Sequence, residues 1–136
     1  MSDYIKIGEW NFVPSKDITA EMTAKYEDAL NDAEVSIKVV MNLCVVFDEI
    51  YANICNHSGA TEMSLTIYKN DSSVKIEFID NGIMFDPTKH VETDITKSAE
   101  EREIGGLGIL MVRKMTDSMA YEYRDDRNCL TLIKNC

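Results

Sequence analysis

Three short groups of residues in this 136-residue chain carry atoms that could do chemistry. The first is Glu49 with Asn53, in the run FDEIYANICNH. Four apart on a helix, the two side chains leave the same face one turn from each other. Asn56 and His57 share that polar face, and the apolar stripe lies elsewhere. A carboxylate can take a proton from a water or a hydroxyl as general base. A carboxamide oxygen one turn away is the hard kind of ligand that Mg²⁺ accepts while keeping several waters. The second group is Asp80-Asn81-Gly82, at the end of VKIEFIDNG. Val74, Ile76, Phe78 and Asp80 alternate with Lys75, Glu77, Ile79 and Asn81, so Asp80 continues the apolar face of a strand. A carboxylate there can accept a hydrogen bond from an exocyclic amine such as that of adenine, and Gly82 would let a ring approach the backbone. The third group is Gly105-Gly106-Leu107-Gly108, ahead of ILMVRKMTD. Successive N–H groups and the positive end of a helix dipole make such a loop a phosphate site. No Gly-Lys-Ser/Thr follows, so it is not a Walker loop. No parallel βαβ unit surrounds it, so it is not a Rossmann fingerprint.

Each group also has an ordinary use. Glu and Asn four apart commonly form the solvated face of a helix, Asp-Asn-Gly is a common turn, and glycines before a helix can be a hinge. What sets them apart is their order along one chain and the elements that must hold them. Residues 3–13 are rich in β-branched and aromatic types and predict one or two short strands. A turn at Pro14–Asp17 follows, with Ser15 or Asp17 able to cap a helix over 17–31, where Ile18, Met22, Tyr26 and Leu30 recur. A second helix is predicted from Glu34 to Asn56, with Val35, Val39, Leu43, Val46, Phe47, Ile50 and Ile54 as its stripe and Gly59 as its stop. Strands over 62–69 and 74–79 flank an Asn70-Asp71-Ser72 turn. A polar stretch with Pro87 over about 83–104 reads as a loop long enough to be a lid. A third helix follows it, then a hairpin of 119–124 and 129–134 with Asp125–Asn128 as the turn. Two adjacent helices followed by hairpins imply an α+β fold, a two-layer α/β sandwich with helices on one face of a mixed, mainly antiparallel sheet. One domain, 1–136, is expected, because 45% hydrophobic residues suffice for a single core.

The net charge of −10 opposes nucleic acid and anionic membranes as partners, since both call for dense Lys/Arg surfaces. It allows a nucleotide only if Mg²⁺, backbone N–H groups and a few local cations neutralise the phosphates. Cys44, Cys55, Cys129 and Cys136 form no C-x-x-C pair and no metal spacing with His, which suggests a reducing compartment. The opening MSDYIKIGEW lacks the pattern of a signal peptide, and no apolar run is long enough to span a bilayer. A cytoplasmic protein is expected.

Taken together, the three groups resemble the superfamily of ATPases and kinases that share the Bergerat fold, with gyrase, Hsp90 and histidine kinases. EIYAN is similar to its N box, DNGIMFDP to its first glycine box and GGLGI to its second. The short chain and the run GGLGILMVRKMTD look most like the anti-sigma serine kinases of sporulation and general stress pathways, over about Asp17 to Lys134. The resemblance implies ATP and Mg²⁺ as cofactors, Glu49 as catalytic base and Asn53 as the metal ligand. It implies Asp80 on the adenine amine, Gly82 beneath the ring, and Gly105, Gly106, Leu107 and Gly108 around the phosphates, with Arg102 and Lys97 as lid cations. His57 matches a His often found after the N box. Relatives often carry Gly-Thr in the last hairpin; here Thr131 has no Gly before it, in Arg127-Asn128-Cys129-Leu130-Thr131, and is the candidate for the last adenine-side contact. The implied activity is phosphorylation of a serine on a small anti-anti-sigma (STAS-type) domain, with a sigma factor as competing partner and a homodimer as the assembly. Two other readings stay open at this level: a nucleotide-dependent binding module with little turnover, and an isolated histidine-kinase catalytic domain or simple ATPase.

Overall fold

The computed structural model describes residues 3–89 and 107–136. The expected lid beyond Lys89, with Lys97, Arg102, Gly105 and Gly106, lies outside the described residues.

The chain opens with strand β1 (Ile5–Phe12) and a 3-10 turn (Lys16–Ile18) that runs into helix α1 (Thr19–Asp32). Ser15 caps this turn, its Oγ accepting the Asp17 N–H at 3.1 Å. Helix α2 (Ile37–Asn53) widens at its end into a π turn, Ile54–Ser58, and Gly59 stops it at a φ of 68°. Strands β2 (Met63–Lys69) and β3 (Ser73–Asp80) form a hairpin over Asn70-Asp71-Ser72. The Asn70 side chain holds that turn, accepting the N–H groups of Ser72 at 2.9 Å and Ser73 at 2.8 Å. Helix α3 (Leu107–Met115) then leads to the closing hairpin of β4 (Ser118–Arg124) and β5 (Arg127–Asn135).

The five strands lie in the order β1-β2-β3-β5-β4, and each of these pairings is antiparallel. The expected layer of helices over a sheet is found; the sheet is antiparallel throughout its described pairings rather than mixed. The period of two sends Leu65, Ile67, Ile76, Phe78, Leu130 and Leu132 to the helix side, where all are buried. From the helices come Met22, Tyr26 and Leu30 of α1, Val39, Leu43, Val46, Phe47 and Ile50 of α2, and Ile109 and Val112 of α3. Aromatic rings join the layers: Phe47 stacks between Tyr26 and Tyr51 at centroid distances of 5.0 and 5.2 Å and approaches Phe78 of β3 at 6.4 Å. The Tyr26 hydroxyl, fully buried, donates to the Leu43 carbonyl at 2.9 Å, which anchors α1 on α2. None of the helices among the described residues is long and apolar enough to cross a membrane.

Candidate functional site

An apolar cavity of about 240 Å³ opens between the end of α2, the start of α3 and the ends of β3 and β5. Ile50, Ile54, Phe78, Ile109 and Leu130 form its walls. Ile83, Met84, Phe85 and Pro87 of the loop after β3 lie at its edge, with Ile83 and Met84 each exposed. The polar groups that reach it are few: Asn53, His57 and Ser58 from the α2 end, Asp80 from β3, and Tyr121 and Asn128 from the last hairpin. A concave apolar slot with a handful of converging polar groups is the usual form of a small-molecule site.

Asp80 sits at the last position of β3, 5% exposed, on the helix side of the sheet as the alternation requires. Its Oδ1 accepts the Gly82 N–H at 2.9 Å and the Asn128 Nδ2–H at 3.1 Å. The turn that follows β3 is pinned from outside. Asn81 Oδ1 accepts the N–H groups of Thr61 at 2.8 Å and Glu62 at 3.1 Å, and the Ile83 N–H donates to the Ser58 carbonyl at 2.9 Å. Gly82 is buried here, and its missing side chain has a definite reason. A Cβ would stand 2.5 Å from the Ser58 Cβ and 2.6 Å from its carbonyl oxygen. The glycine therefore makes room for Ser58, the residue that ends the π turn.

Asn53 ends α2 half-buried, with its side chain lining the cavity. One turn back, Glu49 is half-buried as well, and its carboxylate abuts Gly108: a Cβ on Gly108 would collide with the Glu49 Oε2. The first and third sequence groups therefore meet in space, with a carboxylate resting against the first turn of α3, where the helix dipole is positive. Glu49 itself is not among the residues that line the cavity; it stands beside it, on the side of the α3 start.

Thr131 is a correction. Asn128 pairs with Asp80 and Thr131 with Glu77, so Thr131 lies an odd number of residues from the cavity side and faces away from the helices, in a row with Thr66, Glu77 and Ala120. The residue of β5 that reaches Asp80 is Asn128, which sequence reasoning assigned to the turn. That turn is only Asp125 and Asp126, with φ of 56° and 62°, the backbone of a tight two-residue hairpin. Two residues instead of four would have put Asn128 inside the strand, opposite Asp80.

The donor set fits a purine nucleotide with a magnesium ion. The walls are apolar, as a base requires, Asp80 offers an acceptor, and Asn53 offers a hard oxygen one helical turn from Glu49. No cluster of three or more His, Cys, Asp or Glu able to hold a metal by itself is found among the described residues.

Residues 12–134 match the family model described as Histidine kinase-like ATPase domain. The chain belongs to that family. It is 28% identical over 103 residues to the serine/threonine-protein kinase BtrW of Bordetella bronchiseptica, covering 73% of this chain and 71% of that protein. In fold it is similar to a chain of the SiaB-SiaC complex from Pseudomonas aeruginosa, with a TM-score of 0.61 and 16% identity over 96% of this chain and 91% of that one.

Proposed function

We propose that the chain binds MgATP in this cavity and passes the terminal phosphoryl group to a serine or threonine of a protein partner. The observation that carries the reading is that Asp80 and Asn53 line one cavity while Glu49, one helical turn before Asn53, lies against Gly108 at the start of α3. Family membership and the likeness to a protein named as a serine/threonine kinase support it.

Asp80 receives the amine of the base, and the apolar walls exclude water from it. Asn53 presents its carboxamide oxygen to Mg²⁺, which when bound neutralises charge on the phosphate oxygens. Glu49 orients the acceptor hydroxyl and takes its proton, while the first turn of α3, with Gly108 kept free of a side chain, turns N–H groups toward anionic oxygen. Phosphoryl transfer depends chiefly on positioning and charge neutralisation, and these parts supply both. The partner proposed is a small anti-anti-sigma domain of the STAS type, with a sigma factor competing for the same protein and the kinase acting as a cytoplasmic homodimer; the resemblance of the three boxes to the anti-sigma serine kinases motivates this.

Labelled ATP mixed with the protein and a STAS domain tests the reading. Label on a serine or threonine of the partner, lost in Glu49→Gln, is the expected result. Label on the protein itself, or phosphate release at the same rate without partner, would overturn the partner-kinase assignment.

A further inference from the structure

We infer that Asn128 is a positioning residue for recognition of the base amine: its carboxamide fixes Asp80 with one oxygen engaged and the other left for the ligand. The inference rests on the reading of the cavity as an ATP site and adds to it the residue that sets base selectivity.

Asn128 is 6% exposed, and its amide is saturated. Nδ2 donates to Asp80 Oδ1 at 3.1 Å and to the Ile83 carbonyl at 2.9 Å. Oδ1 accepts the Phe85 N–H at 3.0 Å and the Tyr121 hydroxyl at 2.5 Å. Two donor hydrogens and two lone pairs are all the amide has, so the network permits one orientation of it. A flipped amide would set its NH₂ against an N–H and its oxygen against a carboxylate and a carbonyl. Burial pushes the Tyr121 phenol up, which keeps it a donor. The same side chain therefore ties the carboxylate of β3 to the loop Ile83–Phe85 at the cavity edge and to β4.

The consequence falls on the other oxygen of Asp80. Oδ1 carries both the Gly82 N–H and the Asn128 amide. Oδ2 receives no hydrogen bond from the described residues, and none of their buried side-chain polar atoms is without a partner, so Oδ2 stays open to the cavity that Asp80 lines. An oxygen held this way accepts and cannot donate. It favours a 6-amino purine over one bearing a hydrogen or a carbonyl at that carbon. Without Asn128 the carboxylate keeps only the Gly82 N–H on Oδ1 and can turn about it, so the oxygen facing the base is less firmly set.

The test compares ATP with purine riboside triphosphate, the analogue without the 6-amino group, by calorimetry on the whole chain. Wild type should favour ATP by about tenfold or more, because hydrogen bonds to a charged acceptor are among the stronger ones. Asn128→Ala should bring that ratio to within about twofold, and Tyr121→Phe should lower it part of the way. Asn128→Ser, which keeps a donor near Asp80, should recover some of it. A residue with a merely structural role would weaken both ligands by one factor and leave the ratio unchanged; that result overturns the inference. Should Asn128→Ala fail to fold, an unchanged ratio in Tyr121→Phe overturns it equally. Failure of the nucleotide reading has a different signature: wild type that binds neither ligand removes the ATP site altogether. Wild type that binds both alike keeps the site and refutes base selection through Asp80.

Discussion

Asn53 and Gly82 show how differently two site residues can be tied to the fold. Asn53 is half-buried and faces the cavity, so Asn53→Ala should leave unfolding within about 0.5 kcal/mol of wild type while raising the Kd for MgATP at least about 100-fold. Urea unfolding and calorimetry on one sample check both halves. Wild-type affinity, or an unfolded variant, would count against the assignment. Gly82→Ala should act first on stability. Its Cβ meets backbone and side-chain atoms of Ser58 at 2.5–2.6 Å, an overpacking that costs about 1–3 kcal/mol, read as a lower urea midpoint at unchanged slope. That Glu49 and Asn53 share one helix face and that Asp80 continues the helix side of β3 was legible in the sequence, because each falls on a strongly periodic element whose faces can be counted. Asn128 was not, because Asp125-Asp126 lacks the Asn-Gly or Asp-Gly signature of a two-residue turn, and a four-residue turn absorbs it. The same miscount favoured Thr131, three residues on and so on the wrong face. The contact of Glu49 with Gly108 was illegible for another reason: it joins residues far apart in sequence, and no local pattern encodes it.

Helix α2 is the element on which the site depends. Its apolar side packs on the sheet and its polar side carries Glu49 and Asn53, so any shift of the core moves the site. Phe47 stacks on Tyr26, Tyr51 and Phe78 and is fully buried. Phe47→Ala should cost about 3–5 kcal/mol, measured by denaturant unfolding, and should weaken nucleotide binding with it. A loss below about 1 kcal/mol would mean that the aromatic stack does not hold α2 in place. The elements themselves were mostly readable from periodicity: β1, α1 with Met22, Tyr26 and Leu30 inward, and both hairpins fall where the pattern puts them, apart from the earlier start of β5. The ends of α2 were less so. Glu34 sits at a φ of 62° and closes α1 rather than opening α2, and the helical path runs on past Asn53 as a π turn. Both features answer to tertiary demands: the first turns the chain from α1 back onto the core, and the second brings Ser58 against Gly82.

At the scale of the molecule, an acidic chain of net charge −10 presents an apolar cavity that ends in a carboxylate. Its helices cover one face of the sheet, and Thr66, Glu77 and Thr131 stand in a row on the other. With so much negative charge on the chain, binding of a polyphosphate should depend steeply on the metal. Calorimetric titration of the protein with ATP, with Mg²⁺ and with EDTA in its stead, is the most direct measurement of this site. Micromolar binding that requires Mg²⁺ is the predicted result, and Asn53→Ala should abolish it. Absence of binding up to millimolar ATP with Mg²⁺ present would contradict the ATP site, and with it the assignment of the chain as a kinase.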